Sequence, residues 1–330
     1  MESNIITASR LKCFNQCRRK HHIKYVLGYR SRAKSEALEF GTLVHLGLEA
    51  WWMTGGILDA AIAAIEVVVS ADPIQLIKAR VLLKGYHARW FDDLPKYNVL
   101  GVEKEFTHDI VNPSTMRACV NMAVSGKMDV IVAGTTSPEL FQNERWFIEH
   151  KTSSEDLSPG SVYWNRLRMD PQVSIYYSGM KALGHYPEGC IYDVIGKFGE
   201  RPYKATPIEK RKFTKEGKLY ANQRAEDETL EEFEARLTAL VAADPNAYYG
   251  RAEVVRTQQE IEESMNDVHA VATMMRDEER LERAPRNPDA CFLYNRQCEF
   301  YGVCAGYENL EDESRYEKLE TMHPELGLKE

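Results

Sequence analysis

The 330-residue chain contains no internal repeat, no low-complexity linker and no long apolar run. Because a membrane-spanning helix needs roughly 20 consecutive apolar residues, the sequence argues against a membrane protein. The opening residues, MESNIITASRLKCFNQC, lack the basic start and apolar core of a secretory signal, so we expect a cytoplasmic protein. A GxxxxGK(S/T) phosphate loop is also absent, so any helicase motor would have to be a separate chain.

Charge is unevenly distributed along this chain, whose net charge is −8. Residues 18–34 carry seven Lys/Arg and no acid, and residues 197–218 carry eight Lys/Arg against three acids. Acidic residues concentrate instead at 225–235 and after Glu308. Basic segments of this kind suit the phosphate backbone of a nucleic acid, so the negative total does not exclude a DNA partner. The candidate DNA contacts in the first basic segment are Arg18, Arg19 and Lys20.

Hydrophobic periodicity and turn residues predict one α/β domain with helical additions. The predicted helices cover 8–27, 35–52, 57–91 with an interruption near 71–73, a segment from Pro171 to about Gly184, and 229–283. The predicted strands cover 98–111, 127–133, 145–151, 190–198 and 203–214.

The strand predicted at 145–151 ends in an acid and a lysine that share one face. Glu149 and Lys151 are two residues apart, and alternate strand residues project to the same side. Asp129 lies in the neighbouring predicted strand, so a hairpin would bring both carboxylates to one hard cation such as Mg²⁺ or Mn²⁺. The lysine would then assist a metal-activated water or balance developing charge. A plain salt bridge is the alternative interpretation.

Further side chains could complete such a site. His45 could add an imidazole ligand, which Mn²⁺ accepts more readily than Mg²⁺. Gln172 and Tyr176 are four residues apart on one helix, hence on one face, and could hold a phosphate or a base. The alternative is that this pair packs on the sheet. Glu103 and Glu105 are either a further source of carboxylate or part of an exposed strand face.

Five motifs occur in an order that resembles the RecB-like nucleases of the PD-(D/E)XK superfamily. They are SRLKCFNQCRRKHHIKYV, FGTLVH, GKMDVI, IEHKTSS and QVSIY, and the resemblance covers roughly residues 8–304. The pattern is most similar to the iron–sulfur members, which are CRISPR-associated RecB-like exonucleases, AddB-type helicase–nuclease subunits and phage relatives. The resemblance therefore implies a bacterial or phage-infected cell.

The resemblance also implies a fold. We expect an α/β restriction-endonuclease-like core with a mixed central sheet flanked by helices, plus helical additions and a cysteine-ligated C-terminal cap. A single nuclease domain would span 1–307, followed by an acidic tail over 308–330. The expected parts of that domain are helices over 1–95, a catalytic sheet core over 98–215, a helical region over 225–284 and a cluster-binding loop over 285–307.

Carried over position by position, the resemblance implies roles for the candidate residues. The implied metal ligands are His45, Asp129, Glu149 and the backbone carbonyl of His150. The implied catalytic residues are Asp129, Glu149 and Lys151. The implied substrate-binding pair is Gln172 and Tyr176, which match the family's glutamine–tyrosine motif.

Three cysteines cluster near the C-terminus, in CFLYNRQCEFYGVC: Cys291, Cys298 and Cys304. Clustered cysteines in a reducing cytosol are more often metal or cluster ligands than disulfides. The resemblance supplies Cys17 as the fourth ligand of a 4Fe–4S cluster, which thiolates suit. Relatives commonly have two residues between the first pair of the triplet, whereas this chain has six, so Zn²⁺ stays a rival occupant. Cys13 is an alternative ligand. Cys119 and Cys190 are predicted to be buried thiols.

The sequence and its resemblance together predict a metal-dependent DNA nuclease, with exonuclease action on single strands or duplex ends. Its setting would be DNA recombination, repair, or phage- or CRISPR-related DNA processing. A recombination, helicase or CRISPR-adaptation protein could be its partner, and an oligomer is left open. The alternative is a non-catalytic subunit that binds DNA ends or supports assembly, although intact His45, Asp129, Glu149 and Lys151 speak against it.

Overall fold

The computed structural model describes residues 5–33, 35–134, 144–281, 284–293, 296–324 and 326. Its α-helices are α1 (Ala8–Gln16), α2 (Arg18–His21), α3 (Glu36–Met53), α4 (Leu58–Glu66), α5 (Pro73–Trp90), α6 (Val162–Arg166), α7 (Pro171–Ala182), α8 (Leu230–Ala243), α9 (Gln258–Glu279) and α10 (Tyr301–Ala305). Its strands are β1 (Ile5–Ile6), β2 (Tyr29–Ser31), β3 (Tyr97–Asn112), β4 (Arg117–Gly134), β5 (Arg145–Ser153), β6 (Pro187–Gly196), β7 (Tyr249–Val254), β8 (Phe292–Leu293), β9 (Arg296–Gln297) and β10 (Tyr316–Lys318).

A mixed sheet forms the centre of the fold. Its six strands follow the order β1-β4-β5-β6-β7, and β3 also pairs with β4. β4 and β5 are antiparallel, with Val130 opposite Ile148, whereas β5 and β6 are parallel. β7 closes the far edge in antiparallel pairing with β6. The predicted mixed α/β core and the predicted hairpin of the two acid-bearing strands are therefore confirmed.

Helices cover both faces of this sheet. α1, α7 and α9 pack on one face, where Phe147 of β5 joins their core cluster. α3, α4, α5 and α8 pack on the other face with Ile148, the next residue of the same strand. Because both faces are buried, the central strands are apolar along most of their length rather than alternating. In the described part of the chain, no helix is long and apolar enough to cross a membrane.

Local sequence signals set the helix starts around the site. The Asp170 side chain accepts a hydrogen bond from the backbone N–H of Gln172, and Pro171 occupies the first helical position of α7. This is the predicted start of that helix, because a short acidic cap satisfies the free amides there. Capping boxes at Thr229 and Thr257 begin α8 and α9 in the same way.

The first predicted helix is interrupted. Residues 8–27 form α1 and α2, followed by a π-helical turn at His22–Val26, with Cys17 in an extended conformation (φ −159°, ψ 115°) between the two helices. The expectation of one continuous helix was wrong because periodicity reports the apolar face, which both short helices share. A single extended residue does not disturb that pattern.

Two other expectations were wrong. Residues 203–214 form no strand; this region has a 3₁₀ turn at Ile208–Lys210 and one isolated bridge between Phe213 and Leu219. Pro202 and Pro207 lack the amide that a strand ladder needs. Conversely, the region predicted as helical from 229 to 283 contains β7 between α8 and α9.

The segment predicted as an acidic tail contributes to the fold. β10 pairs antiparallel with β2, and Tyr316 at its start is buried. His323 is also buried, with its Nε2 3.2 Å from the carbonyl oxygen of Ile5. Both ends of the described chain therefore meet on the same side of the molecule.

A row of buried polar side chains crosses β5, β6 and β7. His150, Asp193 and Arg251 are neighbours in strand register. Asp193 is 0% exposed, and it accepts hydrogen bonds from Arg251 Nη2 (2.9 Å) and from the hydroxyl of Tyr86 on α5 (2.7 Å). His150 Nδ1 lies 3.4 Å from Asp193 Oδ2. Burial raises the pKa of Asp193, but Arg251 and His150 together outweigh burial, and the net pKa is lowered.

We predict that this row stabilises the sheet strongly. Asp193→Ala should lower the free energy of unfolding by about 3–5 kcal/mol, because it leaves the Arg251 guanidinium buried without its counter-charge. Tyr86→Phe is the matched control, and it should cost only about 1 kcal/mol because the ion pair remains. Urea unfolding followed by circular dichroism measures both. Equal costs for the two variants would contradict this account.

Candidate active site

The candidate acids meet where β4 and β5 pair. Val130 of β4 pairs with Ile148 of β5. Asp129 is the neighbour of Val130 in the chain and Glu149 is the neighbour of Ile148, so the two acids lie close together across the strands. Glu149 is 3% exposed. Asp129 Oδ2 accepts a 2.6 Å hydrogen bond from the backbone N–H of His150, so the carboxylate is fixed against the neighbouring strand. The predicted convergence of the two carboxylates follows from the antiparallel register.

Lys151 lies on the same face as Glu149 and pairs with Glu149 Oε1. Burial raises the pKa of Glu149 to about 7; Asp129 adds to that rise and Lys151 opposes it. Burial alone would lower the pKa of Lys151, but the facing carboxylate outweighs it and the pKa is raised.

His45 projects from α3 toward the carboxylate of Asp129. Its Nδ1 lies 3.6 Å from Asp129 Oδ1. Burial lowers the pKa of His45, but Asp129 outweighs burial and raises it. Burial raises the pKa of Asp129, but His45, His150 and Lys151 together outweigh burial and lower it. Asp129, Glu149, Lys151 and His45 are thus brought together, as predicted.

Gln172 and Tyr176 of α7 contact the site from the other side. Gln172 Nε2 donates to Glu149 Oε1 (2.7 Å) and lies 3.0 Å from the Tyr176 hydroxyl. That hydroxyl donates to the carbonyl oxygen of Lys127 on β4 (2.9 Å). The pair therefore holds Glu149 and β4 in position, and contact of the pair with substrate stays a prediction.

The acid site fits a divalent cation. Glu149 Oε2 is buried and has no hydrogen-bond partner among the described residues, although a buried carboxylate oxygen normally has one. Carboxylates with one imidazole are a ligand set that Mn²⁺ and Mg²⁺ accept. Among the described residues no three His, Cys, Asp or Glu side chains stand at mutual ligating distance. In this structure Glu149 is paired with Lys151, and Asp129 lies against His45.

A second acid–lysine pair lies beside the site. Glu103, at φ +50°, pairs with Lys127. Burial raises the pKa of Glu103; Lys127 opposes the rise and Asp129 adds to it. From the sequence, Glu103 was either a further carboxylate of the site or part of an exposed strand face. In the structure its side chain is half-buried and forms an ion pair with Lys127.

Four predicted cluster ligands line one cavity. Cys17, Cys291, Cys298 and Cys304 border a cavity of about 630 Å³. Burial raises the pKa of Cys304, and the other three cysteines are among its electrostatic neighbours. Cys13 does not line this cavity; it is buried, and burial raises its pKa to about 11. The four cysteines therefore border one cavity, with Cys17 rather than Cys13 as the contribution from the N-terminal helices, and ligation of a cluster by them stays a prediction.

The other two cysteines differ in burial. Cys190 is fully buried, as predicted, whereas Cys119 is only half-buried. Neither borders the cavity.

The basic triplet after Cys17 has partners within the chain. Arg18 forms a 2.6 Å ion pair with Glu278 of α9, and Lys20 lies 3.3 Å from Glu299. Arg19 Nε donates to the carbonyl oxygen of Ala284 (2.8 Å). These side chains tie the N-terminal helices to the C-terminal cap, and their contact with DNA stays a prediction.

Sequence reasoning missed the row of Asp193, Arg251 and Tyr86 behind the site. Asp193 had a signal, because it is a lone acid inside the apolar strand sequence CIYDVIGKF. Arg251 and Tyr86 had none, since their proximity depends on where β7 and α5 pack.

The fold and site define an α/β protein that carries two acids, one of them fully buried, and a lysine at the pairing of two central strands. The chain belongs to the PD-(D/E)XK nuclease superfamily, whose family model matches residues 5–305. No curated protein sequence matches the chain significantly.

Two solved structures are similar at low identity. A candidate exonuclease from Eubacterium rectale is 12% identical, with a TM-score of 0.46 over 94% of this chain and 90% of the other. The protein SSO0001 is 14% identical, with a TM-score of 0.34 over 94% of this chain and 89% of the other. At these scores the two likenesses add nothing to the family assignment.

We predict that the acid site binds Mn²⁺ and that Gln172 supports binding. Glu149→Ala should remove binding, and Gln172→Ala should weaken it about tenfold, because the amide no longer orients the carboxylate. Asp59→Ala, which removes an exposed carboxylate on α4, is the control and should bind as the parent does. Isothermal titration with Mn²⁺ measures all three. Unchanged affinity in Glu149→Ala would exclude this site.

Proposed function

We propose that this chain is a metal-dependent deoxyribonuclease that hydrolyses phosphodiester bonds, acting as an exonuclease on single strands or duplex ends. One observation carries the proposal: Glu149 is buried beside Lys151 and beside Asp129, whose side chain is only 13% exposed, and Glu149 Oε2 has no partner among the described residues. Burying two carboxylates side by side is unfavourable unless a cation offsets their charge. Membership of a nuclease superfamily supports the same class of reaction.

The proposed roles follow from these contacts. A Mg²⁺ or Mn²⁺ ion held by His45, Asp129, Glu149 and the His150 carbonyl would supply an activated water and stabilise phosphate charge. The backbone N–H of His150 fixes Asp129, and Gln172 fixes Glu149. Lys151 adds a positive charge at the same place, where negative charge develops as the phosphodiester is attacked.

Contact with DNA is proposed mainly for residues 197–218. These residues carry eight Lys/Arg against three acids. Arg18 and Lys20 are already in ion pairs, so they are weaker candidates for phosphate contact. Because phosphate neutralisation releases counterions, binding should weaken steeply with salt.

We also propose a 4Fe–4S cluster held by Cys17, Cys291, Cys298 and Cys304. The shared cavity of about 630 Å³ supports it, as does the position of Cys17 at the break between α1 and α2. Ligands from both ends of the chain would close a very long loop, and such a constraint stabilises a fold. Its role would be structural.

We predict that Lys151→Ala lowers DNA cleavage by at least about 100-fold, because the charge facing the scissile phosphate is lost. Lys12→Ala, which removes an exposed lysine of α1, should cleave as the parent does. Single-stranded and duplex DNA labelled at either end would be incubated with Mg²⁺, Mn²⁺ or EDTA, so that product ladders also give polarity. A parent protein that binds DNA but cleaves neither substrate would favour the non-catalytic end-binding subunit instead.

We predict about four iron atoms per chain in anaerobically purified protein, with a visible absorption band. Cys298→Ser should lose iron, whereas Cys119→Ser should keep it, because Cys119 lies outside the cavity. Elemental analysis and absorption spectra measure this. One zinc atom per chain without iron would replace the cluster proposal with the zinc alternative.

A further inference from the structure

The segment between β6 and α8 forms a defined protrusion, which we call the basic arm (residues 203–224). It carries seven Lys/Arg and two Glu in a chain whose net charge is −8. Arg211 connects the first and last parts of this segment, because its side chain donates to the carbonyl oxygens of Thr206 (2.9 Å) and Ala225 (2.7 Å). The Gln223 side chain bonds the backbone at Lys210 and Lys212, so the arm has a fixed conformation.

The outer part of the arm displays cations and aromatic rings together. Lys210, Lys212 and Lys215 are exposed and form no ion pair with any described residue. Phe213 is 57% exposed and Tyr220 is 45% exposed. A solvated charged loop does not need exposed aromatic rings, whereas a groove for unpaired bases does.

The arm begins beside the candidate active site. β5 and β6 run parallel and end together, so the chain leaves β6 next to the residues that follow Lys151. The backbone N–H of Lys197 donates to the Ser153 carbonyl oxygen (2.7 Å), and Lys197 Nζ donates to the Ala37 carbonyl oxygen (2.9 Å). Ala37 belongs to α3, the helix that carries His45. A DNA strand bound along the arm would therefore lead toward the end of β5 that carries Lys151.

We propose that the basic arm binds single-stranded DNA, with Phe213 and Tyr220 stacking on unpaired bases while Lys210, Lys212 and Lys215 neutralise phosphates. This inference rests on the proposed nuclease function and gives it a substrate class. Duplex DNA offers the same phosphates but no exposed base faces, so the aromatic residues determine the preference for single strands.

The test measures binding of the full chain by fluorescence anisotropy, in a Lys151→Ala background that prevents cleavage. The probes are a labelled thymidine 20-mer and a blunt duplex of equal length. Phe213→Ala should weaken single-strand binding about tenfold and change duplex binding less than about twofold. Phe213→Tyr should retain binding because the ring remains, and Phe213→Leu should behave like alanine because an aliphatic side chain does not stack.

The lysines are tested by salt dependence. Lys210→Ala/Lys212→Ala should reduce the slope of log K against log salt by about 1.4 for the single strand, since each lost phosphate contact contributes about 0.7. A double substitution of exposed lysines elsewhere, Lys12→Ala/Lys104→Ala, should leave the slope unchanged.

Two results would overturn the inference. In the first, every arm variant binds the single strand within about twofold of the parent, and the salt slope is unchanged. In the second, Phe213→Ala loses as much affinity for the duplex as for the single strand. Cleavage by the wild-type chain is measured in parallel to separate the two proposals. If the wild type cuts DNA while arm variants bind normally, only the arm inference fails. If it never cuts but single-strand binding depends on the arm, only the nuclease proposal fails.

Discussion

The buried ion pair between Arg251 and Asp193 ties β7 to β6, the strand that pairs directly with β5 of the candidate site. Asp193 lies in register with His150 on one side and with Arg251 on the other. The Arg251 guanidinium also lies 3.8 Å over the ring of Trp90, so its position is determined by packing as well as by charge. Because strand residues alternate, holding His150 toward this row directs Glu149 and Lys151 to the opposite face.

Charge within the candidate site is balanced by mutual pairing. Glu149 pairs with Lys151 and Asp129 lies against His45, and each acid also accepts one hydrogen bond from a neutral donor. Burial disfavours ionised groups, so the site is stable only while these partners remain or a metal cation joins them. This dependence is what makes the buried acids suited to a cation and to the phosphate group that it would bind.

The two ends of the chain are joined beside the cysteine cavity. Arg18 and Lys20 pair with acids of α9 and the C-terminal cap, and Arg19 bonds the backbone between them. The basic residues near Cys17 therefore contribute to structure there, while Lys210, Lys212 and Lys215 of the basic arm have no ion-pair partner among the described residues. Similar runs of positive charge in the sequence thus have different roles, and packing decides between them.

Much of the site could be read from the sequence because its signals are local. Two-residue spacing determined that Glu149 and Lys151 share a face, and Asp170 with Pro171 determined where α7 begins. The apolar runs around Asp129 and Glu149 determined that both lie in buried strands. The sequence was insufficient to predict the features of the fold that depend on long-range contacts. Residues 203–214 alternate like a strand but pair with no strand of the described residues. β7 was not predicted, because the acidic helices α8 and α9 flank it in the sequence. Only the tertiary structure brought Arg251 and Tyr86 to Asp193, because strand order and helix packing depend on contacts between residues far apart in the chain.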